Sequence, residues 1–218
     1  MNSTTTMTKT LRWLGALAAL TTMSLTATTS AQAQAVASPD ALIKDISSAV
    51  LDAVKADKTI RAGDVTKVTA LVDQKILPYV NFQRMTASAV GRYWRQATPD
   101  QQKRLQDEFK LLLMRTYSGA LAQVTPEQTV ELKPSRSSPN DPEVVVRTEI
   151  RGKGDPIQLD YRLEKAGDSW KIYDVNVLGV WLVENYRNSF AQEIGANGID
   201  SLIGKLAERN KAAVAAKS

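Results

Sequence analysis

The chain has 218 residues, of which 43% are hydrophobic and 23% charged, and a formal net charge of +5. Such a composition excludes a wholly disordered polypeptide, and the length suits one domain or two small ones sharing a core. There is no cysteine and no histidine, which removes disulfides, Cys-ligated zinc, iron–sulfur clusters, thiol nucleophiles, a lipoprotein cysteine and every His-dependent triad or metal site.

Residues 1–35 read as a secretory signal peptide. Lys9 and Arg12 precede an apolar run from Trp13 to Leu25, and Ala-x-Ala cleavage sites follow, ending at Ala33 or Ala35. The run falls well short of the ~20 residues of a spanning helix, and no twin-Arg pair precedes it. A soluble exported domain, residues 36–218, is expected, and a bacterial periplasm fits. The leader carries two cations and no acid, so the remaining chain is only slightly basic. Its Lys and Arg are interspersed with acids, as solvated helix faces are, and no nucleic-acid partner is expected.

Ser38-Pro39-Asp40 is a helix start: a capping hydroxyl, a proline in the first turn and an acid at the positive end of the dipole. Leu42, Ile43, Ile46, Val50, Leu51 and Val54 then recur at helical spacing. A second helix is predicted over 64–77, ended by Pro78. Asn81 opens a third, with Phe82, Met85 and Val90 apolar and Gly91 at its end. Thr98-Pro99-Asp100-Gln101 is a capping box. The helix it starts runs to about Gln123 and carries a stripe of Leu105, Phe109, Leu112, Leu113, Thr116, Tyr117, Ala120 and Leu121, with Lys103, Arg104, Asp107, Glu108 and Lys110 facing elsewhere.

At Pro126 the hydrophobic period changes from near 3.6 to 2. Strands are predicted over 129–132, 143–151, 157–163 and 170–177, with turns at Gly152-Lys153-Gly154-Asp155 and Ala166-Gly167-Asp168. The last strand is apolar on both faces, at Ile172, Tyr173, Val175 and Val177, which predicts cover on both sides. Helix returns after Gly179, breaks between Gly195 and Gly198, and resumes from Ile199, with residues 211–218 as a frayed tail. The plan is α+β: helices over 38–123, a twisted antiparallel sheet of about four strands over 129–177, and helices over 179–210.

Chemistry is sparse. Dinucleotide and P-loop glycine patterns, a nucleophile elbow and a calcium loop are all missing from the sequence. Asp160 and Glu164 alternate outward with Arg162, as a solvated face does. Asp174 shares a face with Trp170 and Ile172 on period-2 counting, which makes it either a buried structural carboxylate or a general acid–base. The apolar stripes themselves fit two outcomes, a filled core or a sheet whose helical cover leaves an apolar cavity, and periodicity does not choose between them.

Three segments carry a family resemblance. The first is Ile76-Leu77-Pro78-Tyr79-Val80-Asn81-Phe82 with Met85 and Val90-Gly91-Arg92-Tyr93-Trp94, leading into Ala97-Thr98-Pro99-Asp100-Gln101 and Phe109, Leu113 and Tyr117. The second is Trp170-Lys171-Ile172-Tyr173-Asp174-Val175. The third is Gly179-Val180, Asn185-Tyr186-Arg187 and Phe190 with Gly198-Ile199-Asp200-Ser201-Leu202-Ile203. In order and spacing they resemble the MlaC family, also called the toluene-tolerance auxiliary family, with Asn81 where an Asp is common.

The resemblance implies a deep apolar pocket for acyl chains and a job. That job is to carry phospholipid through the periplasm between an outer-membrane lipoprotein–porin assembly and an inner-membrane ABC transporter, maintaining outer-membrane lipid asymmetry. It implies a lipid-binding protein that is no enzyme, with no cofactor and no metal, and a monomer is expected. On the implied pocket, the inward positions predicted to face lipid are Phe109, Leu113, Tyr117, Leu121, Val146, Ile150, Leu159, Tyr161, Ile172, Val175, Leu182 and Tyr186. The alternatives are a periplasmic isomerase or hydrolase using Asp174, and a structural envelope adaptor with a filled core.

Overall fold

The computed structural model describes residues 38–134, 137–138 and 141–215; the predicted leader and its cleavage sites lie outside them. Seven α-helices and a five-stranded antiparallel sheet are present among the described residues. Helix α1 (Pro39–Ala56) starts as its sequence predicts, with Ser38 Oγ accepting the Ala41 N–H at 3.2 Å. A short α2 (Lys58–Arg61) follows, opened by Asp57, whose carboxylate accepts the Thr59 N–H. Helix α3 (Val65–Lys75) is capped by Asp64, and Leu77–Tyr79 form one 3-10 turn around Pro78. Asn81 caps α4 (Phe82–Val90), with Oδ1 3.0 Å from the Arg84 amide nitrogen.

Helix α5 (Pro99–Ala122) begins with the reciprocal capping box: Gln101 N–H to Thr98 Oγ1 at 3.2 Å and Thr98 N–H to Gln101 Oε1 at 3.0 Å. Strands β1 (Thr129–Leu132), β2 (Glu143–Arg151), β3 (Ile157–Ala166), β4 (Ser169–Val177) and β5 (Val180–Trp181) pair in sequence order as a meander. Helices α6 (Leu182–Asn197) and α7 (Ile199–Ala215) complete the fold.

Three predicted details are corrected. The sheet has five strands where about four were expected, because Leu178 and Gly179 both adopt positive φ (+52° and +90°). They turn the chain back so that β5 pairs with β4 before α6 begins. A leucine in that role gives no sequence signal. Second, the break expected over Gly195 to Gly198 is present but falls at Gly198 (φ +85°), and α6 runs through Gly195. Gly195 serves close approach instead: a Cβ there would come within 3.1 Å of the Tyr93 hydroxyl. Third, the helix expected to stop near residue 210 continues to Ala215.

The apolar side chains form three clusters. One gathers α4, α5, α6 and α7 around Phe109, whose ring lies 5.1 Å from Tyr186 and 5.3 Å from Phe190, edge to face with both. A second packs Ile43 and Ile46 of α1 on Val144, Val146, Leu163, Trp170 and Ile172 of the sheet. A third, around Val54, Ile60, Val68 and Leu71, joins α1, α2 and α3. Helix α5 packs mainly on α7, with α4, α3 and α2 as further neighbours, and no strand is among its main partners.

Candidate functional site

Between the α5 flank and the inner face of the sheet lies a partly open cavity of about 340 Å³. Its floor is the sheet. On β2 and β3 the pleat sends alternate residues inward, so Thr148 and Ile150 stand beside Leu159 and Tyr161. Helix α1 supplies one wall with Ile46, Ser47 and Val50, and α3 adds Val68 and Val72. Helix α5 supplies the facing wall with Leu113, Met114 and Tyr117, and Leu182 closes the α6 side. Ile150, Leu159, Tyr161 and Val175 are all only half-buried although they point inward; the exposure that remains to them is the hollow itself.

Strand β4 reaches the cavity through a β-bulge. Arg162 pairs with Asp174 and Leu163 with Ile172, which leaves Tyr173 as the extra residue. Strict alternation would put Ile172 and Val175 on opposite faces; the bulge puts both on the cavity wall with Val177. The two-sided apolar pattern of this strand is therefore in part the trace of a bulge, and the expected cover on both sides also holds, since Asp174 and Asn176 lie off the cavity wall and are buried too. Tyr173 is turned out, where its hydroxyl donates to Glu143 at 2.8 Å and its ring lies 3.7 Å beneath the Arg84 guanidinium. Burial and the Glu143 carboxylate push its phenol up to about 12. Arg84 also pairs with Glu164, and Asn81 Nδ2 donates to Glu164 at 2.7 Å, so the start of α4 is tied to β3 while its Phe82 and Met85 line the cavity.

The bulge also decides Asp174, which is 1% exposed but does not line the cavity. Its Oδ1 accepts the N–H groups of Val175 and Val183 at 2.9 and 3.1 Å, and its Oδ2 takes Arg162 at 3.0 Å. Trp181 precedes α6 and offers no capping side chain. Asp174 supplies the missing acceptor from the strand, at the positive end of the helix. Arg162 also reaches Glu184 at 2.9 Å and lies 3.9 Å over the Trp181 ring. Burial raises the Asp174 carboxyl above its ordinary value, against the pull of those N–H groups and of Arg162. Its lone pairs are committed to the fold. Asp160, expected on a solvated face, is buried too, at 5% exposure.

Polar groups inside the hollow are few. Ser47 Oγ and Tyr161 Oη stand 3.5 Å apart, and Thr148 Oγ1 donates to the Leu159 carbonyl at 2.8 Å. Burial pushes the Tyr161 and Tyr117 phenols up. Among the described residues no cluster of carboxylates could hold a metal ion, and no helix is long and apolar enough to cross a membrane.

Of the twelve positions singled out in the sequence, Leu113, Tyr117, Ile150, Leu159, Tyr161, Ile172, Val175 and Leu182 line this cavity. Phe109, Val146 and Tyr186 do not. Phe109 and Tyr186 belong to the helical cluster, and Val146 is 1% exposed beneath α1. They are inward residues whose space is already filled. The side chain of Leu121 lies outside the described ones. Sequence reasoning left the α1 and α3 walls unassigned, and it turned Lys110 outward. Lys110 in fact lines the cavity, as its three-residue spacing from Leu113 allows.

Comparison with known proteins gives a consistent answer. Residues 44–208 match the sequence profile of the MlaC protein family. The toluene tolerance protein ttg2D of Pseudomonas putida is 26% identical over 182 residues, spanning 80% of this chain and 84% of its own. The intermembrane phospholipid transport system binding protein MlaC of Haemophilus influenzae is 24% identical over 173 residues, spanning 78% and 80%. A solved structure of a phospholipid-binding protein from Ralstonia solanacearum, in complex with a phospholipid, superimposes with a TM-score of 0.77. It is 47% identical, over 80% of this chain and 98% of that one.

Proposed function

The chain belongs to the MlaC family, and from that premise we propose that it is a soluble periplasmic phospholipid carrier. The observation that carries the reading is the hollow itself: a cavity of about 340 Å³, walled by aliphatic and aromatic side chains, in a protein small enough to have filled it. Lipid pockets need such walls, with polar groups only where a headgroup emerges.

The physical task is to move acyl tails through water. At ~0.8 kcal/mol per methylene, a chain of about sixteen carbons costs on the order of 13 kcal/mol to expose. The walls supply that cover, with Leu113, Tyr117, Ile150, Leu159, Tyr161, Ile172, Val175 and Leu182 as lipid-facing residues. A bilayer shelters tails equally well, so burial alone gives no net transfer. Release and uptake are set by packing, headgroup contacts and ordering. No glycine-rich phosphate loop occurs in the sequence, so the direction of transfer comes from partners. We propose the outer-membrane lipoprotein–porin assembly and the inner-membrane ABC transporter as those partners, and maintenance of outer-membrane lipid asymmetry as the outcome.

An acid–base enzyme built on Asp174 has no geometric support, since that carboxylate caps α6 on the far side of β4 from the cavity. Native mass spectrometry of the purified protein, followed by organic extraction, tests the carrier reading. One bound phospholipid per chain is expected. Protein that is lipid-free and takes up none from vesicles contradicts it.

A further inference from the structure

Among the described residues that line the cavity, Lys110 is the one that is charged. It precedes Leu113 by three positions and Tyr117 by seven on α5, so its stem runs along the wall they form. Its side chain is 34% exposed, so it touches the hollow and solvent at once and marks the rim. The ammonium is loosely held. Its ion-pair partner is Asp73 of α3, at 3.5 Å and itself 43% exposed, whereas Lys103 on the same helix holds Asp107 at 2.6 Å. A committed ammonium–carboxylate pair closes to about 2.7–2.9 Å.

An amphiphile whose tails fill this hollow changes from apolar to polar at the rim. In a phospholipid the first charged group at that boundary is the phosphodiester. We propose that Lys110 is the headgroup-selecting residue: its ammonium meets the lipid phosphate at the mouth and favours lipids of net negative charge over zwitterionic ones with the same tails. Asp73 is the internal competitor for that ammonium. In phosphatidylethanolamine the lipid's own ammonium already offsets the phosphate; in phosphatidylglycerol nothing does. The proposal rests on the carrier reading and adds to it a chemical preference and the residue that sets it. A half-exposed site is screened by water and salt, so the preference is a factor of about two to five and weakens as ionic strength rises.

The simpler role for Lys110 is that of a snorkelling stem that only covers apolar surface, and two variants of opposite sign separate the roles. Delipidated protein is loaded from vesicles of equal phosphatidylethanolamine and phosphatidylglycerol with identical tails, and the extracted lipid is quantified. Wild type is expected to be enriched in phosphatidylglycerol. Lys110→Gln should lower the glycerol-to-ethanolamine ratio about threefold and Asp73→Asn should raise it about twofold, with the melting temperature held.

Unchanged ratios in both variants, with lipid still loaded, overturn the proposal and leave the carrier reading standing. Equal loss of both lipids in Lys110→Gln also overturns it, because only packing was removed. Failure of wild type to load from any vesicle sinks both readings. A calorimetric control uses inorganic phosphate alone on lipid-free protein. Phosphate should bind wild type no more tightly than Lys110→Gln; tighter binding would assign Lys110 to a free anion and overturn the headgroup role.

Discussion

Helix α5 runs through two different interiors. From Leu105 to Leu112 it buries Leu105, Phe109 and Leu112 in the four-helix cluster, where Phe109 is fully enclosed and ringed by Tyr186 and Phe190. Its second half presents Leu113 and Tyr117 to empty space across from the sheet. A leucine with an aromatic residue four positions on occurs in both, as Leu105 with Phe109 and as Leu113 with Tyr117. What differs is the element opposite: α6 and α7 close onto the first half, and the twisted sheet stands off from the second. Apolar periodicity thus specifies which face turns inward, and the neighbouring elements specify whether that interior is solid. In this protein the solid end carries stability and the hollow end carries the proposed cargo.

Mutation should separate the two ends. The largest effect is expected from Phe109→Ala, which opens a void in a close-packed cluster that cannot collapse around it. Stability should fall by about 3–5 kcal/mol in denaturant unfolding, with lipid content per folded molecule unchanged. At the hollow end, Leu159→Glu or Tyr117→Glu places a carboxylate on the cavity wall beside water. Bound lipid, measured by extraction, should fall at least tenfold, or about 1.4 kcal/mol, while stability moves by less than Phe109→Ala moves it. A lipid loss that merely tracks unfolding in all three variants would erase the distinction.

The smallest effect concerns the seam of the solid end. Glu193 of α6 is held down to about 2 by Lys205 first, then by Ser201 and Asn197. Its pKa is lowered on folding, so its contribution is present above its ordinary value of 4.5 and is lost as pH falls from there toward 2. Glu193→Gln should flatten that part of the stability profile, measured by thermal melts across the acid range. Asp174 works in the opposite direction. Burial raises its carboxyl, so its ionisation costs stability as pH rises through the folded value, and acidification relieves that cost.

The sequence made the solid end legible and the hollow only by half. Capping signals at Ser38, Asn81 and Thr98 mark helix starts that the structure reproduces, because a cap is local chemistry and needs no tertiary partner. The β-bulge at Tyr173 and the Leu178-Gly179 turn escaped, because each takes a backbone conformation that its residues do not announce. Phe109 and Leu113 carry no local mark to show that one faces a filled core and the other a cavity. The MlaC-like segments supplied that expectation, and the standing-off of α5 from the sheet is its physical cause.

On the proposed function, acyl tails occupy the space between the second half of α5 and the inner face of the sheet. The most direct measurement loads the protein with a phospholipid bearing a photoactivatable diazirine within an acyl chain, irradiates it, and maps the adducts by peptide mass spectrometry. Adducts on the peptides of Leu113–Tyr117, Leu159–Tyr161 and Val175–Val177 are predicted. Adducts confined to the exposed Leu178–Val180 tip, or to no cavity-lining peptide, would contradict the account.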